Sequence, residues 1–165
     1  MWYAILGAVL LAGDQILKYW VVTHLAVGES APFLPGFMQL TRLHNYGAAW
    51  SSLSGRTVLL VVFTAVLLAA VALLLIKKVV RHWTGITACT LILSGGIGNI
   101  IDRIVHGYVV DMFDLQLFSY PVFNLADCCV VVGAILGGVY YLFLYEKYDK
   151  KKKESDHAHD PSDPS

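Results

Sequence analysis

From Thr57 to Ile76 the chain reads TVLLVVFTAVLLAAVALLLI, twenty residues without one charge. A helix apolar on every side belongs inside a large core or a bilayer, and a chain of 165 residues builds no core of that size. About 20 such residues cross a hydrocarbon layer of about 30 Å, so this run predicts a transmembrane helix. Three more stretches follow the same rule: residues 2–22, interrupted by Asp14 and Lys18; residues 84–101, ending in Ser94, Gly95, Gly96, Gly98 and Asn99; and residues 125–145, with Gly133, Gly137 and Gly138 permitting close helix approach. The expected fold is an all-α membrane protein of four spans in one integral-membrane domain over residues 1–148. A composition of 57% hydrophobic against 15% charged residues agrees.

Four spans put both termini on one side, and the basic residues say which. Lys77, Lys78 and Arg81 lie between spans two and three, and Lys147 with Lys150 to Lys153 follows span four, whereas the other two loops hold only Arg42, Arg56 and Arg103. By the positive-inside rule both termini are cytoplasmic and the loops of residues 24–56 and 102–123 face outward. The first segment lacks a basic n-region and carries an ionisable pair, so it reads as a retained helix rather than a cleaved signal. In the first outer loop Phe37 to His44 alternates as a short strand or hairpin on the membrane surface. Residues 149–165, polar and proline-bearing, read as a disordered cytoplasmic tail in which His157 and His159 are solvated.

The 12 basic and 12 acidic residues cancel, which argues against nucleic acid as a partner. Cys89, Cys128 and Cys129 sit in apolar runs without paired spacing and read as small core residues, so neither a disulfide framework nor a metal site is expected.

Ionisable groups at membrane depth cost at least about 2.5 kcal/mol each, so each requires a partner or a function. Asp14 and Lys18 lie one turn apart in the outer half of span one. Asn99, Asp102 and Arg103 close span three, and Asn124 with Asp127 opens span four as an N-cap and an acid in the first turn. Asp111 stands in the flank Tyr-Val-Val-Asp-Met-Phe, with no cap position and no adjacent base. Asp14, Asp102, Asp111, Asp114 and Asp127 thus gather near one membrane boundary. Asp14 with Lys18 also reads as a neutralising pair, Asp102 with Arg103 as a structural ion pair, and Asp114 as a solvent-facing side chain.

Two carboxylates brought close together share a proton: one activates water while the other donates to a carbonyl or leaving amine. The helix terminus beside Asp127 and the apolar flank of Asp111 place the two acids in different fields, but such a pair titrates as a unit. That chemistry needs no metal and no cofactor.

In order along the chain stand D-Q-x-x-K at Asp14 to Lys18, N-x-G-A-A at Asn45 to Ala49, G-G-x-G-N-x-x-D-R at Gly95 to Arg103, V-V-D-x-F at Val109 to Phe113, and F-N-x-A-D at Phe123 to Asp127. With these five motifs the chain resembles the lipoprotein signal peptidases, the type II signal peptidases of the bacterial inner membrane. The resemblance implies an aspartyl endopeptidase that removes the signal peptide from diacylglyceryl-modified prolipoproteins, cleaving just before the lipidated cysteine. It maps the catalytic pair onto Asp111 and Asp127, and polar positions around the dyad or peptide onto Asn45, Asn99, Arg103 and Asn124, with Asp14, Lys18 and Asp102 in support. It also implies an extracytoplasmic β-cradle, matched by Phe37 to His44, and a short amphipathic helix around Trp50 to Arg56. The implied partners are the diacylglyceryl-prolipoprotein and membrane lipid, with the monomer as default. Met112 stands where the family often has phenylalanine, an apolar exchange.

Two other classes compete. A Ser/Lys peptidase would use Lys18 with Ser94, Ser51, Ser52 or Ser54, but the acid one turn from Lys18 makes it a poor base. A proton-coupled carrier would distribute its acids across the bilayer, whereas here they collect at one face. A cysteine nucleophile at Cys128 or Cys129 is disfavoured by an apolar helix, and a non-catalytic scaffold would tolerate loss of Asp111 and Asp127.

Overall fold

The computed structural model describes residues 1–47 and 55–150. Four long apolar helices dominate: α1 (Trp2–His24), α2 (Thr57–Ile76), α3 (Trp83–His106) and α4 (Leu125–Val139), the last continuing as a π-helix over Tyr140–Lys150. Each is long and apolar enough to cross a bilayer, the fourth when counted through Asp149. Three strands, β1 (Ser30–Leu34), β2 (Met38–Asn45) and β3 (Val109–Leu115), form one antiparallel sheet in the order β1-β2-β3.

The strand-like reading of Phe37 to His44 corresponds to β2, which pairs with β3 through Leu43↔Asp111 and Asn45↔Val109, with an irregularity between Leu40 and Leu43. β3 is the unexpected element. Its first four residues are all buried, so the segment lacks the apolar and polar alternation that betrays a half-exposed strand. The sheet is two-faced. Val110 and Met112 pack with Val21 and Leu25 of α1, joined by Ala31 and Leu40. Elsewhere Ser30 Oγ lies 2.8 Å from Thr41 Oγ1, and Asp114 accepts from Gln39 Nε2 at 2.7 Å and Thr41 Oγ1 at 3.1 Å. Asp114, expected to face solvent, is therefore half-buried and tied to the neighbouring strand.

The most enclosed helix is α3, which packs on each of the other three. Its small residues make this possible. A Cβ on Gly95 would collide with the carbonyl of Ala126, and one on Gly98 would stand 2.8 Å from Asp14 Oδ2. In the reverse sense a Cβ on Gly133 of α4 would lie 2.9 Å from the Ala88 carbonyl. The C-terminal ends of α1 and α3 and the N-terminal cap of α4 meet the sheet, and Thr57 at the start of α2 donates from Oγ1 to the Gly107 carbonyl at 3.2 Å. Arg42 of β2 donates to the orphan carbonyls of Val22 and Leu25, each at 2.9 Å, binding sheet to helix end. At α3 the chain turns through Gly107, whose φ of +82° is left-handed, as a helix C-terminus favours.

At the opposite end, Asp149 accepts from the backbone N–H groups of Arg81 at 3.0 Å and His82 at 3.1 Å, and from the Tyr140 hydroxyl. The π-helix thus reaches Lys150. The tail from residue 151, the serines Ser51, Ser52 and Ser54, and nearly all of the amphipathic helix expected at Trp50 to Arg56 lie outside the described residues.

Candidate active site

Asp111 is carried by β3 and Asp127 by the first turn of α4, and both line one cavity of about 220 Å³. Strand geometry aims Asp111 there, because Val110 and Met112 on either side point into the α1 core. Helix capping aims Asp127: the Asn124 side chain accepts from the Asp127 N–H at 2.8 Å, and Asp127 Oδ2 accepts in return from the Asn124 N–H at 3.4 Å. This reciprocal pair is a capping box, which satisfies two orphan donors of α4.

The cap residue also reaches the other acid. Asn124 Nδ2 donates to Asp111 Oδ1 at 2.6 Å, while Asn45 Nδ2 donates to Asp111 Oδ2 at 2.9 Å. Both oxygens of Asp111 are thereby fixed, and the residue is only 1% exposed. Burial, and secondarily the charge of Asp127, push the Asp111 carboxyl up to about 7, against the pull of the two amide donors and of Lys18. A group poised there exchanges a proton readily near neutral pH.

Behind the acids lies a buried polar layer joining α1, α3 and α4. Lys18 Nζ stands 2.8 Å from Asp14 Oδ2, 3.0 Å from Asp102 Oδ2 and 3.0 Å from Asn99 Oδ1. Asn99 then donates from Nδ2 to Asp127 Oδ1 at 2.8 Å. Asp14 Oδ1 accepts from the Ala126 N–H at 2.9 Å, and Asp102 Oδ2 accepts from the Val110 N–H at 3.1 Å. Each supporting acid therefore holds the backbone one residue before one of the two cavity carboxylates. Asp102, expected beside Arg103 as an ion pair, instead pairs with Lys18, since adjacent helical residues point in different directions. Arg103 reaches the Gly47 carbonyl through Nη2 at 2.7 Å and the Asn99 carbonyl through Nη1 at 3.3 Å, and lines the cavity.

Asn45, Asn99, Arg103, Asp111 and Asp127 thus line the cavity, Asn124 is buried among them, and Asp14, Lys18 and Asp102 stand behind. Two contributions were not singled out from sequence. Gln15 Nε2 donates to Asp102 Oδ1 at 3.1 Å, a role hinted at only by its place inside D-Q-x-x-K. Tyr120 to Phe123 supply an apolar wall, where the clue is a charge-free stretch just before the cap. The Ser94 form of the serine reading loses its geometry: Lys18 is held by three acceptors, and Ser94 Oγ donates to the Leu91 carbonyl at 3.0 Å.

A bundle of membrane-length helices, with a cavity bearing polar side chains beside a small sheet, defines a multi-pass membrane protein with a polar site. Residues 6–143 match the family model described as Signal peptidase (SPase) II. The lipoprotein signal peptidase of Enterococcus faecalis is 40% identical over 92% of this chain and 93% of its own length. That of Lactococcus lactis is 38% identical over 87% and 91%. Two solved structures, both bacterial membrane enzymes obtained by the in meso method, superpose with TM-scores of 0.79 and 0.78 at 27% and 33% identity. They cover 99% and 86% of this chain and 93% of each of theirs. The chain belongs to the lipoprotein signal peptidase family, and is thus a membrane-embedded hydrolase of the peptidase class.

Proposed function

We propose that this peptidase is an aspartyl endopeptidase that removes the signal peptide from diacylglyceryl-modified prolipoproteins, with Asp111 and Asp127 as the catalytic pair and the bond before the lipidated cysteine as its target. The observation that carries the reading is the double use of Asn124 at the wall of one cavity, its side-chain amide donating to the Asp111 carboxylate and its backbone N–H to the Asp127 carboxylate. The pair holds one proton. The ionised carboxylate takes a proton from water as the water oxygen attacks the scissile carbonyl, and the protonated one donates to the carbonyl oxygen. Collapse of the resulting diol breaks the C–N bond as a proton passes to the leaving nitrogen.

Asn45, Asn99 and Asn124 hold the two carboxylates, Arg103 faces the cavity that would take the peptide, and Lys18 with Asp14 and Asp102 sets the frame. The polypeptide is placed in the bacterial cytoplasmic membrane with both termini inside, because the basic residues cluster at Lys77, Lys78, Arg81 and Lys147, on the end away from the sheet. Such a site lies at the outer boundary, where a diacylated cysteine keeps its chains in lipid while its peptide bond meets water. One catalytic domain over residues 1–148 carries this chemistry, with a cytoplasmic tail after it.

The test is a gel-shift assay of purified protein on a diacylglyceryl-modified prolipoprotein. Wild type, with and without a chelator, should cleave, and folded Asp111→Asn and Asp127→Asn should not. Cleavage by either variant at a wild-type rate would remove the dyad, and cleavage at another bond would remove the specificity.

A further inference from the structure

The tip of the sheet at the β1–β2 turn carries an apolar surface that meets the cavity only at Tyr120. Phe33, Leu34 and Phe37, at the β1–β2 turn, are 50%, 45% and 42% exposed. The segment after β3 adds Leu117 and Phe118, 61% and 59% exposed, and the half-exposed ring of Tyr120. The two segments are one surface, since the Gln116 N–H donates to the Phe37 carbonyl at 2.9 Å and Met38 pairs with Leu115. No charge occurs from Ser30 to Thr41 or from Leu115 to Ala126. A patch of this kind is costly in water and marks a contact site.

Its neighbours identify what it contacts. Phe118 stacks edge-on with Tyr120, and Tyr120 with Phe123, at centroid distances of 6.2 and 5.8 Å. Tyr120 and Phe123 in turn line the cavity together with Val130 and Val131, and Val131 faces outward from the membrane helix α4. The apolar surface therefore runs without a break from the lipid-facing side of α4 to the β1–β2 turn. The polar side chains of Ser30, Thr41, Gln39 and Asp114 bond to one another across the strands instead. This is the pattern of an element that lies in an interface, apolar on one side and hydrated on the other.

We infer that the β1–β2 turn and the Leu117–Tyr120 segment insert together into the lipid leaflet at the sheet-bearing end of the bundle, making the sheet tip a second membrane anchor beside the cavity. The occupant of the patch is bilayer lipid. The inference rests on the multi-pass architecture and not on the proposed chemistry, so either can fail alone. Insertion would pin the sheet, and with it Asp111, at a constant depth, and would leave the cavity wall at Tyr120 open to acyl chains rather than to bulk water.

The test attaches the fluorophore NBD to Phe37→Cys, Leu117→Cys and, as the hydrated control, Ser30→Cys. The full-length protein is reconstituted in phosphatidylcholine and phosphatidylglycerol nanodiscs, with and without a 5-doxyl phosphatidylcholine. Wild type carried through the same labelling gives the background from its own cysteines, two of which are buried. The two tip labels should be quenched by the doxyl lipid at least twofold more than the Ser30 label, and should resist iodide while the control does not. Iodide quenching of either tip label equal to that at Ser30, or no excess doxyl quenching, would overturn the inference.

Discussion

The Lys18 ammonium lies 3.0 Å from the Asn99 carbonyl oxygen, and that contact decides which way the Asn99 amide faces. With Oδ1 committed to Lys18, Nδ2 is left to donate to Asp127 at 2.8 Å. A buried cation on α1 thus orients an acid on α4 through one amide on α3.

Lys18→Met should be costly in two separable ways. It strands Asp14 and Asp102 without their cation, a loss of about 3–5 kcal/mol for a broken buried pair. It also frees the Asn99 amide to flip. Thermal unfolding in detergent should show a much lower midpoint, and peptidase activity should be lost. Lys18→Arg keeps the charge and should recover stability more fully than activity, because the planar guanidinium does not reproduce the ammonium's three contacts. Equal recovery of both would show that Lys18 does not orient the site.

Asp111, with its carboxyl raised from 3.8 to about 7, makes stability and turnover depend on pH in defined directions. Between those values the folded protein binds a proton that the unfolded chain does not, so stability falls as pH rises through this window and levels off above it. Asp111→Asn removes the ionisation, and its melting temperature relative to wild type should therefore climb from pH 4 to pH 8. If the pair must hold one proton to act, kcat/KM of the wild type should fall on the alkaline side of about 7. A profile flat from pH 6 to pH 9 would contradict the shared proton.

Close packing of α3 on α4 supplies a third test. In Gly95→Ala the new methyl meets the Ala126 carbonyl, which is backbone and cannot rotate away, so the helices must separate at the level of Asp127. Overpacking of this kind costs about 1–3 kcal/mol, and activity should fall further than stability alone explains. Gly137→Ala, whose methyl would sit 3.8 Å from the Ala88 Cβ, should be neutral or slightly stabilising by the same melting assay.

What the sequence disclosed follows from how local each signal is. Spans are written in runs of about twenty residues, and the Asn124 to Asp127 cap occupies four, so both are legible without knowing the fold. β3 was hidden because Val109 to Met112 are covered on both faces, leaving an apolar run with no period. The partner of Asp102 is hidden for a related reason. Arg103 is next to it in sequence, yet the helix turns the two side chains apart and Lys18, on another span, reaches it instead. The carboxylate pair and the asparagines around it follow from chemistry and resemblance, whereas which amide bonds which oxygen is visible only with β2, α3 and α4 placed together.

Asn124 caps α4 and bonds Asp111 with the same side chain. Formation of the last span and assembly of the carboxylate site are therefore one event, not two. During synthesis, a chain that has inserted its first three spans carries Asp111 but has no cap, no second acid and no amide from α4. Any reactivity of the pair stays latent until the final helix has formed, so neighbouring nascent membrane chains meet either an inert intermediate or the finished protein.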